Sequence, residues 1–199
     1  MTPGCRRAFL ALACLALAAC AQAPRRTAGE DWRPVAGTAP EAVSAFRVSG
    51  RLAVSDGRDG GSAGFLWLQR GEAYEVELRQ PVSQRTWRLS GDARGAVLHG
   101  GDGGPRHGAD AQALLFEVLG WQLPVRDLVD WVRGLPGAGA PVERLERDGQ
   151  GRVRLLRQAG WQVEYRAWLD EGAWPTRIQA RQGDYSVRIN VQDWAVGRD

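Results

Sequence analysis

Cysteine is absent from this chain after position 20. Its three cysteines, Cys5, Cys14 and Cys20, all fall in the leading segment. The remainder therefore holds no disulfide, no thiolate metal site and no cysteine nucleophile. Lysine is missing altogether, so arginine supplies all 26 basic residues. Histidine occurs only as His99 and His107. An excess of either charge is missing too. Without Arg6 and Arg7, 24 arginines face 23 carboxylates, a net charge of +1. That balance leaves no electrostatic footprint for nucleic acid. The one long apolar run, after Arg7, is too short to cross a bilayer as a helix.

What is present begins with that run. Two basic residues, about a dozen apolar residues and then small residues make a secretory signal peptide. It ends in Leu17-Ala18-Ala19-Cys20. This resembles the bacterial lipobox, in which the cysteine is acylated and becomes the first mature residue. Residues 1–19 are then expected to be removed, leaving 180 residues with Cys20 as the lipid anchor. Cys14, preceded by Ala11-Leu12-Ala13, is the poorer candidate. Arg6-Arg7 also resembles the twin-arginine export pattern, although the general secretory route suffices. Ala21 is not the aspartate that retains many lipoproteins at the inner membrane, so the resemblance implies sorting to the outer membrane. Residues 20–40 carry Pro24, Pro34 and Pro40 among Ala, Arg, Gly and Thr, and read as the lipidated cysteine and a flexible tether. The domain is expected over 41–199.

Within it the apolar period is two. Phe46, Val48, Gly50, Leu52 and Val54 alternate with polar or small residues, which predicts a half-buried strand after a short helix at Glu41–Ala45. Ala63, Phe65 and Trp67 share a face on the next strand, and Tyr74, Val76 and Leu78 on a third. Trp87 and Leu89 mark a fourth, Val97 a short fifth. A glycine-rich loop follows over Gly100–Gly108. The pattern then turns helical. Asp110 can cap a helix whose stripe is Leu114, Leu115, Val118 and Leu119, and Gly120 fits its end. Val125–Arg133 repeats the helical signal. Strands resume at Val142, through Val153 and Leu155, Trp161, Val163 and Tyr165, Ile178, and Tyr185 to Val191. The fold class read from this is mainly β (α+β). It is an incomplete antiparallel β-barrel of about eleven strands, with two or three helices at its mouth.

Several segments, in order, resemble the LolB family of outer-membrane lipoproteins, which receive other lipoproteins and insert them in the membrane. These are Phe46-x-x-x-Gly50-Arg51-Leu52-Ala53, Ser62-Ala63-Gly64-Phe65-Leu66-Trp67, Asp110 to Leu115, and Leu119-Gly120-Trp121-Gln122-Leu123-Pro124-Val125. The last continues through Leu128, Trp131, Gly134, Leu135 and Pro136; Gly160-Trp161-Gln162-Val163-x-Tyr165 and Ile189-x-x-x-x-Trp194 follow. The resemblance implies an open barrel with an apolar cavity under a helical lid. It implies a LolA-like periplasmic carrier and acylated lipoproteins as partners, outer-membrane lipid as the destination, and no cofactor. It also implies a membrane-insertion loop, here Pro81, Val82 and Ser83, with Val82 where the family usually has leucine. Valine is smaller, so insertion by this tip is expected to be weaker.

Such a cargo needs an apolar container, because each exposed CH₂ costs about 0.8 kcal/mol in water. The candidates for lining it are Phe65, Trp67, Val76, Leu78, Trp87, Leu89, Trp121, Trp131, Val163, Tyr165 and Ile178. A packed core would use the same residues, although nine tryptophans favour a roomy interior. A general lipid-binding or envelope-assembly lipoprotein is the alternative. A hydrolase reading rests on Gly60-Gly61-Ser62-Ala63-Gly64, which spells G-x-S-x-G. That motif requires a strand, a sharp turn and then a helix, whereas here a turn precedes a strand. His99 and His107 with Asp102 and Asp110 are the only conceivable metal ligands, and no metal is expected. No apolar seam for self-association is visible, so a monomer is expected.

Overall fold

The computed structural model describes residues 32–81, 83, 85–100, 104–169 and 172–197. In chain order the strands are β1 (Arg33–Pro34), β2 (Ala45–Ser55), β3 (Gly60–Arg70), β4 (Ala73–Arg79), β5 (Thr86–Asp92), β6 (Gly95–His99) and β7 (Arg106–Gly108). Two helices follow, α1 (Ala111–Leu119) and α2 (Val125–Trp131). The chain closes with β8 (Val142–Arg147), β9 (Val153–Gln158), β10 (Trp161–Trp168), β11 (Pro175–Gln182) and β12 (Tyr185–Val196).

All twelve strands join one antiparallel sheet in the order β7-β6-β5-β4-β3-β2-β12-β11-β10-β9-β8, with β1 beside the end of β12. The two outer strands, β7 and β8, do not pair with each other, so the barrel is open. Hairpins account for nearly all of this order. The one long-range pairing on the main path, β12 with β2, joins the two halves of the chain along both full strands.

The period-two reading of the sequence maps onto this sheet directly. Phe46, Val48, Leu52 and Val54 are buried, while their outward neighbours are exposed or half-buried. Inward residues meet in rows across the strands. One row runs Trp194–Val48–Trp67–Val76–Leu89–Leu98. Phe46 lies between Trp67 and Trp194, with ring centroids 5.9 and 5.7 Å away. Gly50 has a steric reason. A Cβ there would lie 2.1 Å from the carbonyl oxygen of Asn190, beside the irregularity in β12 between Val191 and Asp193.

Three boundaries differ from the sequence reading. The expected tether through residue 40 gives way to the fold earlier, since Arg33 and Pro34 pair with Val196 and Ala195, and Val35 is buried. The helix expected at Glu41–Ala45 is a single 3-10 turn over Pro40–Ala42. The glycine-rich loop ends in a strand, because Arg106–Gly108 pairs with Ala96–Leu98. That strand has no apolar alternation to announce it.

The helices form as expected. The Asp110 side chain accepts the backbone N–H of Gln112 at 2.9 Å, and Gly120 ends α1 with a left-handed φ of 70°. Leu114 and Leu115 are buried, as are Val125, Leu128 and Trp131 on α2. Among the described residues, no helix is long and apolar enough to cross a membrane.

Candidate functional site: an apolar cavity under two helices

A cavity of about 60 Å³ lies between the sheet and the helices. Its floor is Leu52, Phe65, Trp67, Val76, Leu78, Leu89 and Ile189 from the strands. Its roof is Leu115 of α1, Leu123 of the connection, and Val125, Leu128 and Val132 of the α2 region. Every lining residue is apolar, the condition under which a void stays dry. One water needs about 10–15 Å³ of such space, so the cavity is small for a long acyl chain as it stands.

Of the eleven candidate lining residues, five border this cavity: Phe65, Trp67, Val76, Leu78 and Leu89. Trp87 and Trp121 are half-buried beside the core without bordering it. The Trp121 ring lies against the start of β3, where a Cβ on Gly61 would come within 3.3 Å of it. Trp131, Val163, Tyr165 and Ile178 are buried in the other half of the barrel, away from the cavity. Alternation identified the inward face of the three strand residues correctly, and Trp131 came from the helical signal. It could not say that the α2 end would fill that half.

That filling is polar as well as apolar. Gln158 is fully buried on β9. Its Oε1 accepts from the Trp131 indole at 3.0 Å and from the Gly137 N–H at 2.8 Å, and its Nε2 donates to the Gly137 and Ala140 carbonyls. The Tyr165 hydroxyl donates to the Trp131 carbonyl at 2.9 Å, and burial pushes that phenol far above its ordinary range. Arg133 donates to the carbonyls of Val43 and Pro40 at 2.7 and 3.1 Å, pairs with Asp130, and lies over the Phe46 ring. The C-terminal end of α2 is thus fastened to β2, β9 and β10. Sequence reasoning missed Gln158 and Arg133, because neither belongs to a periodic apolar pattern. It also missed the cavity role of the helix residues, although their stripes were visible.

Asp127, in the first turn of α2, is the exception to this satisfied network. Among the described residues its buried Oδ1 finds no hydrogen-bond partner, and it packs against Gly137 and Gly139. Burial raises its carboxyl above the usual range, against a lowering contribution from the Gly139 N–H.

The loop after β4 is held at its base by the Gln80 N–H, which donates to the Arg85 carbonyl at 2.9 Å. Pro81 and Ser83 are exposed, and the Ser83 hydroxyl donates to the Gln80 side chain at 2.7 Å. Val82, like Cys20 and Asp102, lies outside the described residues. Ser62 sits within β3 with its side chain exposed, three strands from His99 on β6. It is not at a strand-to-helix turn. His107 is exposed on β7, and among the described residues no cluster of three metal-ligating side chains occurs.

Comparison with known proteins agrees with this geometry. The family model described as outer membrane lipoprotein LolB matches residues 44–194. The outer-membrane lipoprotein LolB of Xanthomonas campestris pv. campestris (strain B100) is 43% identical over 162 residues, covering 78% of this chain and 74% of that protein. That of Alkalilimnicola ehrlichii is 37% identical over 193 residues, covering 93% and 94%. The crystal structure of a LolA superfamily protein from Nitrosomonas europaea superposes with a TM-score of 0.52 at 12% identity, covering 81% of this chain and 90% of that one. At that identity the likeness speaks for the fold. An open antiparallel barrel, an apolar cavity under two helices, and a family match across both place this chain in the outer membrane lipoprotein LolB family.

Proposed function

We propose that the protein accepts acylated lipoproteins from a LolA-like periplasmic carrier and releases them into the outer membrane, without covalent chemistry or ATP. The observation that carries this reading is the wholly apolar cavity roofed by two short helices. Acyl chains transferred from water to such a site gain about 0.8 kcal/mol per CH₂. The cavity is small when empty, so entry requires the roof to lift. Lifting exposes Leu115, Leu123 and Leu128 to water, and an arriving acyl chain covers them again. Cargo therefore favours the open state through contacts it makes only there. Delivery follows because a bilayer offers the chains a still larger apolar volume. Cys20 serves as the lipid anchor that keeps the domain at the outer membrane. Pro81, Val82 and Ser83 form the loop that enters the bilayer, and the protein works as a monomer.

The test is a transfer assay. The chain from Ala21 onward, without its lipid, is mixed with a carrier preloaded with an acylated lipoprotein, and pull-down reports which protein holds the cargo. Movement of acylated but not unacylated cargo is expected. No movement to a folded domain would overturn the acceptor role and favour a different lipid ligand.

A further inference from the structure

The outward face of the sheet sorts its charges by position. Toward the end where β1 joins β12, charges are paired: Arg47 meets Asp193 at 3.0 Å, and Arg88 meets Glu75 and Glu77 at 3.2 and 3.1 Å. One register row nearer the β2–β3 turn, the pattern changes. There the Cα partners run Arg177–Asn190–Arg51–Gly64–Arg79–Thr86 across β11, β12, β2, β3, β4 and β5. Arg177, Arg51 and Arg79 are all exposed. Among the described residues, none of the three meets a carboxylate or another hydrogen-bond partner. The flanking carboxylates, Glu77 and Glu164, are held by Arg88 and Arg166.

Neighbouring strands stand about 4.8 Å apart, so the three arginines recur at intervals of roughly 10 Å. Arg188, in the adjacent row, is also exposed, as is Arg85 at the foot of the 80–85 loop. Gly64 keeps the space between Arg51 and Arg79 open. A Cβ there would make only ordinary contacts, at 3.8 and 3.9 Å, so the backbone does not demand glycine. The resulting recess, about 350 Å³, is lined by Arg51, Ser62, Gly64, Arg79, Gln80 and Pro81. Exposed like charges at this spacing gain nothing from one another. They do complement a surface of fixed negative charge.

We infer that this row of arginines is a docking face for anionic phospholipid, with Arg51 and Arg79 seating a headgroup phosphate beside the 80–85 loop. Arginine is suited to this role because its planar fork donates two parallel hydrogen bonds to one phosphate. The face is separate from the cavity, which lies on the opposite side of the sheet. It also acts whether or not Val82 penetrates the bilayer.

The experiment compares vesicles of phosphatidylcholine with vesicles of an equal mixture of phosphatidylcholine and phosphatidylglycerol. The chain from Ala21 is used, because it carries every strand and helix described here and no lipid anchor. Preferential co-sedimentation with the anionic vesicles is expected, weakening as salt is raised. An arginine near an anionic surface contributes about fivefold in partitioning, so the triple variant Arg51→Gln, Arg79→Gln, Arg177→Gln loses about tenfold or more. The triple variant Arg94→Gln, Arg144→Gln, Arg154→Gln removes the same charge elsewhere and keeps the preference. Unchanged thermal midpoints verify folding; if the first triple is unfolded, the double variant Arg51→Gln, Arg79→Gln replaces it. Equal loss in both triples, no loss in the first, or no preference by the unmodified chain would overturn the inference. So would binding of an acidic protein through these arginines without vesicle preference. The assay contains neither cargo nor carrier, so its outcome is separate from that of the transfer assay.

Discussion

Trp131 and Gln158 are 27 residues apart in sequence, yet the indole of one donates to the buried amide oxygen of the other at 3.0 Å. The same amide holds both the N–H and the carbonyl of Gly137. One side chain therefore fixes the end of α2 and the segment that leaves it. The roof over the cavity is fastened at this end, and the fastening is polar.

Replacing Gln158 with leucine should be costly. The shape is nearly kept, but the Trp131 indole and the Gly137 N–H lose their acceptor in a dry site. Two stranded donors cost on the order of 2–5 kcal/mol together. The expected outcome is a lower midpoint in thermal unfolding, with faster hydrogen exchange in α2. A midpoint equal to that of the unmodified protein would contradict the latch.

Asp127 works in the opposite sense. Its carboxyl is raised by burial, so the folded state holds that proton more tightly than the unfolded chain does. The associated stability is fully present below the unfolded pKa and is lost as pH rises through the raised folded value. At neutral pH the charge is a burden. Asp127→Asn is expected to stabilise the protein there by on the order of 1 kcal/mol. The gain should shrink as pH falls and the aspartate protonates, which paired urea titrations across that range would reveal. A gain that is independent of pH would count against the assignment.

Gly50 should tolerate no side chain. The alanine methyl would overlap the Asn190 carbonyl unless β2 and β12 part. Because this pairing joins the two halves of the sheet, Gly50→Ala is expected to cost on the order of 3 kcal/mol. Gly64→Ala, on the neighbouring strand β3, should be nearly neutral, since its methyl finds only ordinary contacts. Measuring the pair separates steric need from general strand weakening.

The loop is expected to matter after capture rather than during it. Val82→Glu should leave cargo acceptance intact and reduce delivery to vesicles about tenfold or more, because a carboxylate resists entry into hydrocarbon. Val82→Leu should raise delivery above the unmodified chain. Equal delivery by all three would remove the loop from the mechanism.

The strands were legible because period two is written plainly in Phe46 to Val54 and again in Phe65 and Trp67. The α1 boundaries were legible in Asp110 and Gly120, each with its own backbone chemistry. Strand β7 was hidden, since Arg106-His107-Gly108 has no apolar residue and owes its pairing to β6 alone. The division between cavity and core was hidden for a deeper reason. Phe65 and Tyr165 both point inward on alternating strands, and only the placement of the helices decides which of them faces empty space. Gln158 could have been suspected from its place at the end of an apolar strand, but three of its four hydrogen bonds are with loop backbone that no sequence pattern announces.

The unpaired margins of β7 and β8 have a mechanical consequence. In a closed barrel the circumference is fixed by a continuous ring of ladder hydrogen bonds, and widening it means breaking some of them. Here the ring is already interrupted. The sheet can uncurl by small changes of twist spread over many strands, with every ladder bond kept. A container of about 60 Å³ can thereby swell to suit a bulky guest and shrink when the guest departs, so its capacity is a property of the wall's compliance rather than of its resting volume.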